Sequence, residues 1–200
     1  VRSKLDNPVA LGYSCAGRVV EGDSAEFKPG ARVACAGAGY ATHADFNYIP
    51  HNLCVPIPDG VDDDDAAFVA VGAIALQGVR QAQPTLGERV VVIGLGLLGL
   101  ITVQLLKANG CRVLGFDPVS AKGELARTLG ADASCADGLI EAADSFTDGL
   151  GADAVIVTAS TTSDQPVNLA AAISRLKGRV VLVGMVGMKL DREPFYKKEL

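Results

Sequence analysis

From Arg89 onward the apolar positions fall into a regular alternation. RVVVIG (89–94) is an unbroken aliphatic run bounded by turn residues, the pattern of a strand buried on both faces. LLGLITVQLLKANG (97–110) follows with helical spacing. CRVLGFD (111–117) predicts a second strand and SAKGELARTLG (120–130) a helix stopped by Gly130. ADASCA (131–136) is a short strand, followed by a weaker helix over 139–146. DAVIVTAS (153–160) predicts a strand, QPVNLAAAISRLKG (165–178) a helix closed by Gly178, and RVVLVGMVG (179–187) a fifth strand. Aliphatic strands alternating with helices predict an α/β fold with a doubly wound parallel sheet.

Residues 1 to about 60 have a different pattern. Short β-rich runs, GRVV (17–20), ARVACA (31–36) and NLCVPIP (52–58), are separated by turn residues such as Pro29-Gly30. The character changes at Asp59-Gly60, and a helix is expected from Asp63 to Gln81. Acids at its start suit the positive end of a helix dipole. A calcium loop at Asp62–Asp65 is not expected, because four consecutive acids cannot all face one ion.

Composition narrows the function classes. Of 200 residues 49% are hydrophobic, enough for a substantial core. The net charge of -5 argues against nucleic acid or an anionic membrane as partner. The longest apolar stretch, Val90 to Leu106, is interrupted by glycines, Thr102 and Gln104, so no membrane span is expected. VRSKLDNPVA lacks the apolar core of a signal peptide. Five dispersed cysteines, with no CxxC pair, read as buried free thiols of a cytoplasmic protein. They do not cluster as structural zinc ligands do. The start at Val1, without methionine, and the end inside DREPFYKKEL suggest a piece of a longer chain.

GLGLLG (94–99) carries the chemistry. It fits GxGxxG, follows a strand and opens a helix, and Asp117 ends the next strand 18 residues after Gly99. Gly94 permits the tight turn, Gly96 removes a Cβ that would block a pyrophosphate, and Gly99 lets helix and strand approach. The helix N-terminus offers free N–H groups to phosphate. Packing alone is the competing explanation of the glycines. Asp117 is expected to accept hydrogen bonds from the adenosine ribose. A 2′-phosphate about 4 Å from it would cost on the order of 4 kcal/mol at an effective dielectric of about 20. NAD is therefore expected ahead of NADP. Lys122 works against this if it reaches a phosphate or a ribose hydroxyl; a solvated helix lysine is the plainer reading. His43 and His51, the two histidines, are candidate general acids, although a surface or strand-end histidine is commoner; Tyr40 and Cys35 are weaker candidates.

GYSCAGRVVEG, FKPGARV, PIPDG, AAFVAVGAIALQGV, VVIGLGLLG and LARTLGAD, in that order and spacing, resemble the medium-chain dehydrogenase/reductases, the zinc-type alcohol dehydrogenase-like superfamily. The ends, VRSKLD and FYKKEL, resemble bacterial two-module oxidoreductases that carry a glucose-fructose-oxidoreductase-like partner module. The resemblance implies part of a GroES-like β domain over 1–58 and an NAD(P)-binding Rossmann domain over 59–200, truncated at its end. It implies Gly94, Leu95, Gly96, Leu97, Leu98 and Gly99 at the pyrophosphate and Asp117 with Lys122 at the ribose. Thr158, Ala159, Val183, Gly184 and Met185 would lie along the nicotinamide, where ordinary strand-end packing explains them equally well.

The departures from the family matter as much. Zinc-dependent members carry a cysteine ligand where this sequence has Val71, so no metal ligand is assigned and catalytic zinc is not expected. Ala31 stands where the family often has Asp, and the turn at Glu21–Ser24 is shortened. The resemblance thus implies hydride transfer between NAD(H) and a small-molecule carbonyl or alcohol, in a protein that can form a homodimer. The catalytic residue is not named by it. A dinucleotide-binding or sensing module without turnover is the alternative.

Overall fold

The computed structural model describes residues 10–22 and 25–200. The VRSKLD segment, and Asp23 and Ser24 of the shortened turn, lie outside the described residues. The chain divides into two compact units, one up to Ala73 and one from Ile74.

The first unit holds a three-stranded antiparallel sheet of β1 (Ser14–Arg18), β2 (Arg32–Ala36) and β3 (Cys54–Pro56), in that order. Phe27, Val33, Cys35 and Ala41 form its small core. The helix expected over 63–81 is broken into α1 (Asp63–Ala66) and α2 (Val69–Ala82). Ser14 explains the break. Its hydroxyl donates to Ala67 O (2.5 Å) and accepts from the Ala70 N–H (3.3 Å). A tertiary bond thus takes backbone groups that a continuous helix would use. The acidic run has local structural work. Asp62 caps α1 through the Asp64 N–H, and Asp63 pairs with Arg32.

The second unit is an α/β fold around a five-stranded parallel sheet in the order β6-β5-β4-β7-β8. The strands are β4 (Arg89–Ile93), β5 (Arg112–Phe116), β6 (Ala133–Cys135), β7 (Ala152–Val157) and β8 (Ser174–Leu182). The helices are α3 (Leu97–Ala108), α4 (Ser120–Thr128), α5 (Leu139–Phe146), α6 (Gln165–Ile173) and α7 (Arg192–Lys198). Both faces of the sheet are covered, which is why its strands read as unbroken apolar runs. Val90, Val92, Val113 and Ile156 pack in one buried cluster with Val103 and Leu106 of α3. Val91, Ile93, Leu114 and Val155 pack in another with Leu139 of α5 and Ala170 of α6.

The helix expected over 165–178 ends at Ile173. Ser174 instead pairs with Ala152 of β7, and Arg175 turns to Asp153 (Nε–Oδ1 2.7 Å). Sheet pairing overrides helical propensity here. The last strand ends at Leu182 and not at 187. Three aspartates stitch the sheet to its surroundings. Asp153 accepts from the Arg89 N–H (2.8 Å) as well as from Arg175. Asp132 accepts from Lys107 of α3 and from the Val113 N–H of β5. Asp117 belongs to the site described next. Among the described residues no helix is long and apolar enough to cross a membrane.

Candidate functional site

The order β6-β5-β4-β7-β8 reverses direction between β4 and β7. Chains leave those two strands toward opposite sides, and a crevice opens at their carboxyl ends. A cavity of about 540 Å³ lies there. Its lining includes Ile93, Gly94 and Gly96 after β4, Phe116, Asp117, Pro118 and Lys122 after β5, and Thr158 to Thr161 after β7. Ser163, Gln165, Pro166 and Leu169 complete it.

The three glycines of the loop differ in kind. Gly94 has φ +99°, and a Cβ there would meet Ala159 N at 2.6 Å. A Cβ on Gly99 would run into the Gly94 carbonyl oxygen. Fold geometry alone accounts for both. Gly96 is extended (φ -74°, ψ -168°), and a Cβ there would have no atom within 4 Å. Neither backbone nor packing requires glycine at that position. It sits at the N-cap of α3, where no side chain caps the first-turn amides.

Two side-chain contacts hold the loop, beside the backbone bond from the Gly94 N–H to Phe116 O (2.7 Å). The Thr158 hydroxyl donates to Gly94 O (2.5 Å), joining the end of β7 to the turn after β4. The Leu95 N–H donates to Asp117 Oδ2 (2.9 Å), joining the turn to the end of β5. The Val119 N–H (3.0 Å) and Lys122 Nζ (3.1 Å) also bond the Asp117 carboxylate. Asp117 is only 6% exposed. Burial opposes its ionisation, but the two N–H groups and the Lys122 ammonium outweigh burial and hold its carboxyl below the usual range.

The structure therefore brings Gly94, Gly96, Asp117, Lys122, Thr158 and Ala159 onto one cavity wall. Lys122 is neither a lone solvated lysine nor a free one, because it is paired with Asp117. Other predicted residues stand differently. The Leu95 side chain is fully buried, so only its backbone faces the loop's business. Leu97 is exposed, and Leu98 O accepts from Thr102 within α3. Val183 packs against Gly78, and its N–H donates to Val157 O. Gly184 abuts the Ala159 carbonyl. Met185 is 81% exposed, and its carbonyl accepts from the Thr161 N–H (2.8 Å). Sequence reasoning missed the anchoring role of Thr158 and the polar wall at Ser160, Thr161 and Ser163. Four consecutive hydroxyl residues, 160–163, at the end of the predicted strand were the available signal.

A second cavity, of about 500 Å³, belongs to the first unit. Tyr13, Ser14, Thr42, His43, Phe68 and Val71 help to line it. A Cβ on Gly12 would come within 2.5 Å of His43 Cδ2, so the ring rests on Gly12. The structure thus gathers His43 and Val71, which the sequence separates. His51 lies elsewhere, with its ring edge-on to Phe27. Among the described residues no three His, Cys, Asp or Glu side chains converge as metal ligands. Val71 offers no donor, so the described donor set does not fit the zinc implied by the family, and no step is routed through it.

The family model described as zinc-binding dehydrogenase matches residues 98–200, just over half of the sequence, and the chain belongs to that family. It is 28% identical to the uncharacterised zinc-type alcohol dehydrogenase-like protein YdjJ of Escherichia coli, over 92% of this chain and 65% of that one. Galactitol-1-phosphate dehydrogenase from Escherichia coli has the same fold, with a TM-score of 0.83 at 21% identity, over 96% of this chain and 66% of that one. A putative zinc-binding dehydrogenase from Sinorhizobium meliloti, solved bound to NADP, matches with a TM-score of 0.81 at 25% identity, over 96% of this chain and 67% of that one. The chain thus spans about two thirds of the length of these proteins.

Proposed function

We propose that the protein is an NAD(H)-dependent oxidoreductase that moves hydride between nicotinamide and a carbonyl or alcohol. Gly96 carries this reading. It is a glycine that the fold does not need, placed where a side chain would enter the cavity at an uncapped helix N-terminus. A pyrophosphate explains it. The NADP-bound relative supports a nicotinamide cofactor. When bound, that cofactor supplies or takes the hydride.

The chain's own residues bind and orient. The amides of Leu97, Leu98 and Gly99 face the pyrophosphate, and Asp117 accepts from the adenosine ribose. Thr158, Ala159, Val183, Gly184 and Met185 flank the nicotinamide. The low-titrating Asp117 favours NAD over NADP, and Lys122 offsets part of its charge. Residues 1–58 serve as part of a GroES-like domain and 59–200 as the Rossmann domain, within a protein that carries a further oxidoreductase-like module. His43, which lines the first unit's cavity together with Tyr13 and Cys15, is the proton-transfer candidate. Catalysis proceeds without zinc, as the replacement of a ligand by Val71 supports.

Calorimetric titration of NADH and NADPH into the full-length protein tests the cofactor reading. Tight NADH binding with weak NADPH binding supports it. Preference for NADPH overturns the role given to Asp117, and binding of neither overturns the site. Val71, standing where zinc-dependent relatives carry a ligand, favours one competing reading, a dinucleotide-sensing module without turnover. NADH consumption against a panel of carbonyls separates the two. Binding without turnover on any of them selects the sensor.

A further inference from the structure

Three of the five cysteines are far apart in sequence and adjacent in space. Cys15 lies directly opposite Cys35 across β1 and β2, and Cys35 directly opposite Cys54 across β2 and β3. Opposed residues of an antiparallel sheet point to the same face. The result is a row of three thiols with Cys35 at its centre. Cys35 Sγ and Cys54 Sγ are 3.6 Å apart, and all three are free. The row lines a cavity of about 410 Å³, with Phe27, His51 and Tyr48 also on its wall. A small oxidant therefore has a route to the sulfurs. Opposed Cα atoms in such a sheet are roughly 4.5–5.5 Å apart, inside the range of about 4.4–6.8 Å that a disulfide spans. With Cys35 Sγ and Cys54 Sγ 3.6 Å apart, rotation of the side chains brings them toward bonding distance.

We propose that this row is a thiol oxidation site, in which a hydroperoxide closes the Cys35–Cys54 pair and Cys15 then exchanges into it. In the first step the Cys54 thiolate attacks one oxygen of the hydroperoxide. Cys54 becomes a sulfenic acid, the O–O bond breaks, and the leaving alkoxide or hydroxide takes up from solvent the proton that the Cys54 thiol had released, departing as alcohol or water. Cys35 Sγ then attacks Cys54 Sγ. The S–O bond breaks, the Cys35 proton leaves with the hydroxide as water, and the peroxide has been reduced by two electrons. Cys15 Sγ can next attack Cys35 Sγ, passing its proton to Cys54 as that thiol departs. The disulfide thereby moves one strand along the sheet without net redox change. The order follows from the surroundings. Cys35 is buried and its thiol donates to Sγ of the half-buried Cys54, so Cys54 opens the sequence, while burial pushes the thiols of Cys15 and Cys35 up. The site is independent of the cofactor-binding reading.

The test treats full-length protein with hydrogen peroxide, alkylates the remaining thiols, and maps peptides by mass. A Cys35–Cys54 link that has lost two hydrogens appears first, followed by Cys15–Cys35, and dithiothreitol reverses both. Cys111 and Cys135 are alkylated throughout. Cys15→Ser retains the first link and abolishes the second. Cys54→Ser slows thiol loss from the row at least tenfold. The proposal is overturned if Cys111 or Cys135 oxidises before any link forms in the row. It is equally overturned if Cys54 proceeds to sulfinic acid with Cys35 still alkylated.

Discussion

Gly96 and Gly99 stand three residues apart in one loop, and substitutions there should fail in opposite ways. A methyl at Gly99 must displace the Gly94 carbonyl, an overpacking that costs about 1–3 kcal/mol. A Cβ at Gly96 has no atom within 4 Å. Gly99→Ala is therefore expected to lower the denaturant midpoint of unfolding. Gly96→Ser, which keeps a residue favoured at an N-cap, is expected to leave that midpoint in place while raising the NADH dissociation constant tenfold or more, about 1.4 kcal/mol. Parallel unfolding and titration curves check both. Equal loss of stability in the two variants would return Gly96 to a packing role. His43 admits a test of the same kind. His43→Gln is expected to reduce kcat at least tenfold and to remove one limb of its pH profile, with the NADH dissociation constant unchanged. An unaltered pH profile would exclude it from proton transfer.

At the scale of elements, the aspartates that join strands to helices make an acid-sensitive set. The carboxyls of Asp117, Asp132 and Asp153 all lie below the ordinary range. In each, burial opposes ionisation and hydrogen bonds to the charged form outweigh it. A carboxyl lowered on folding stabilises above its unfolded pKa, about 3.9, and that contribution disappears as pH falls through the lower folded value. Stability followed by circular dichroism should hold down to about pH 4 and fall steeply below it. Asp132→Asn should flatten that fall. Asp132→Ala should cost about 1–3 kcal/mol at neutral pH, because the Val113 N–H of β5 loses its side-chain acceptor. The element pattern itself was legible from residue 89 onward. Continuous aliphatic strands and amphipathic helices alternate there, α5 begins and ends where the sequence places it, and α3 begins there and ends two residues sooner. The errors fall where a long-range bond competes with local preference. Ser14, more than fifty residues away, breaks the helix at Ala67, and β7 draws Ser174 out of helical spacing. No local pattern encodes either partner.

At the scale of the whole molecule, much of the candidate site was legible because a glycine loop, a strand end and a helix start are contiguous in sequence. Gly94, Gly96 and Asp117 share a cavity wall as that local order implies. What the fold assembles from distant strands was not legible. The thiol row joins residues 15, 35 and 54, and the cavity holding His43 and Val71 joins segments 28 residues apart. Metal content is a property of the full-length protein and is measured there. Atomic emission on purified protein is expected to give less than one zinc per ten chains. Stoichiometric zinc that dialysis against chelator removes together with turnover would overturn the zinc-free proposal.

The Asp117 carboxylate bears on attempts to change which cofactor the protein accepts. One of its oxygens holds the Leu95 amide of the glycine loop, and the other holds the Val119 amide that leads into α4. An engineer who replaces Asp117 to admit a 2′-phosphate also unties the turn that would grip the pyrophosphate. Selectivity and loop order are wired through one side chain. A switch in preference therefore calls for a second acceptor to hold the Leu95 amide, and single substitutions at this position should broaden cofactor use only at the expense of overall affinity.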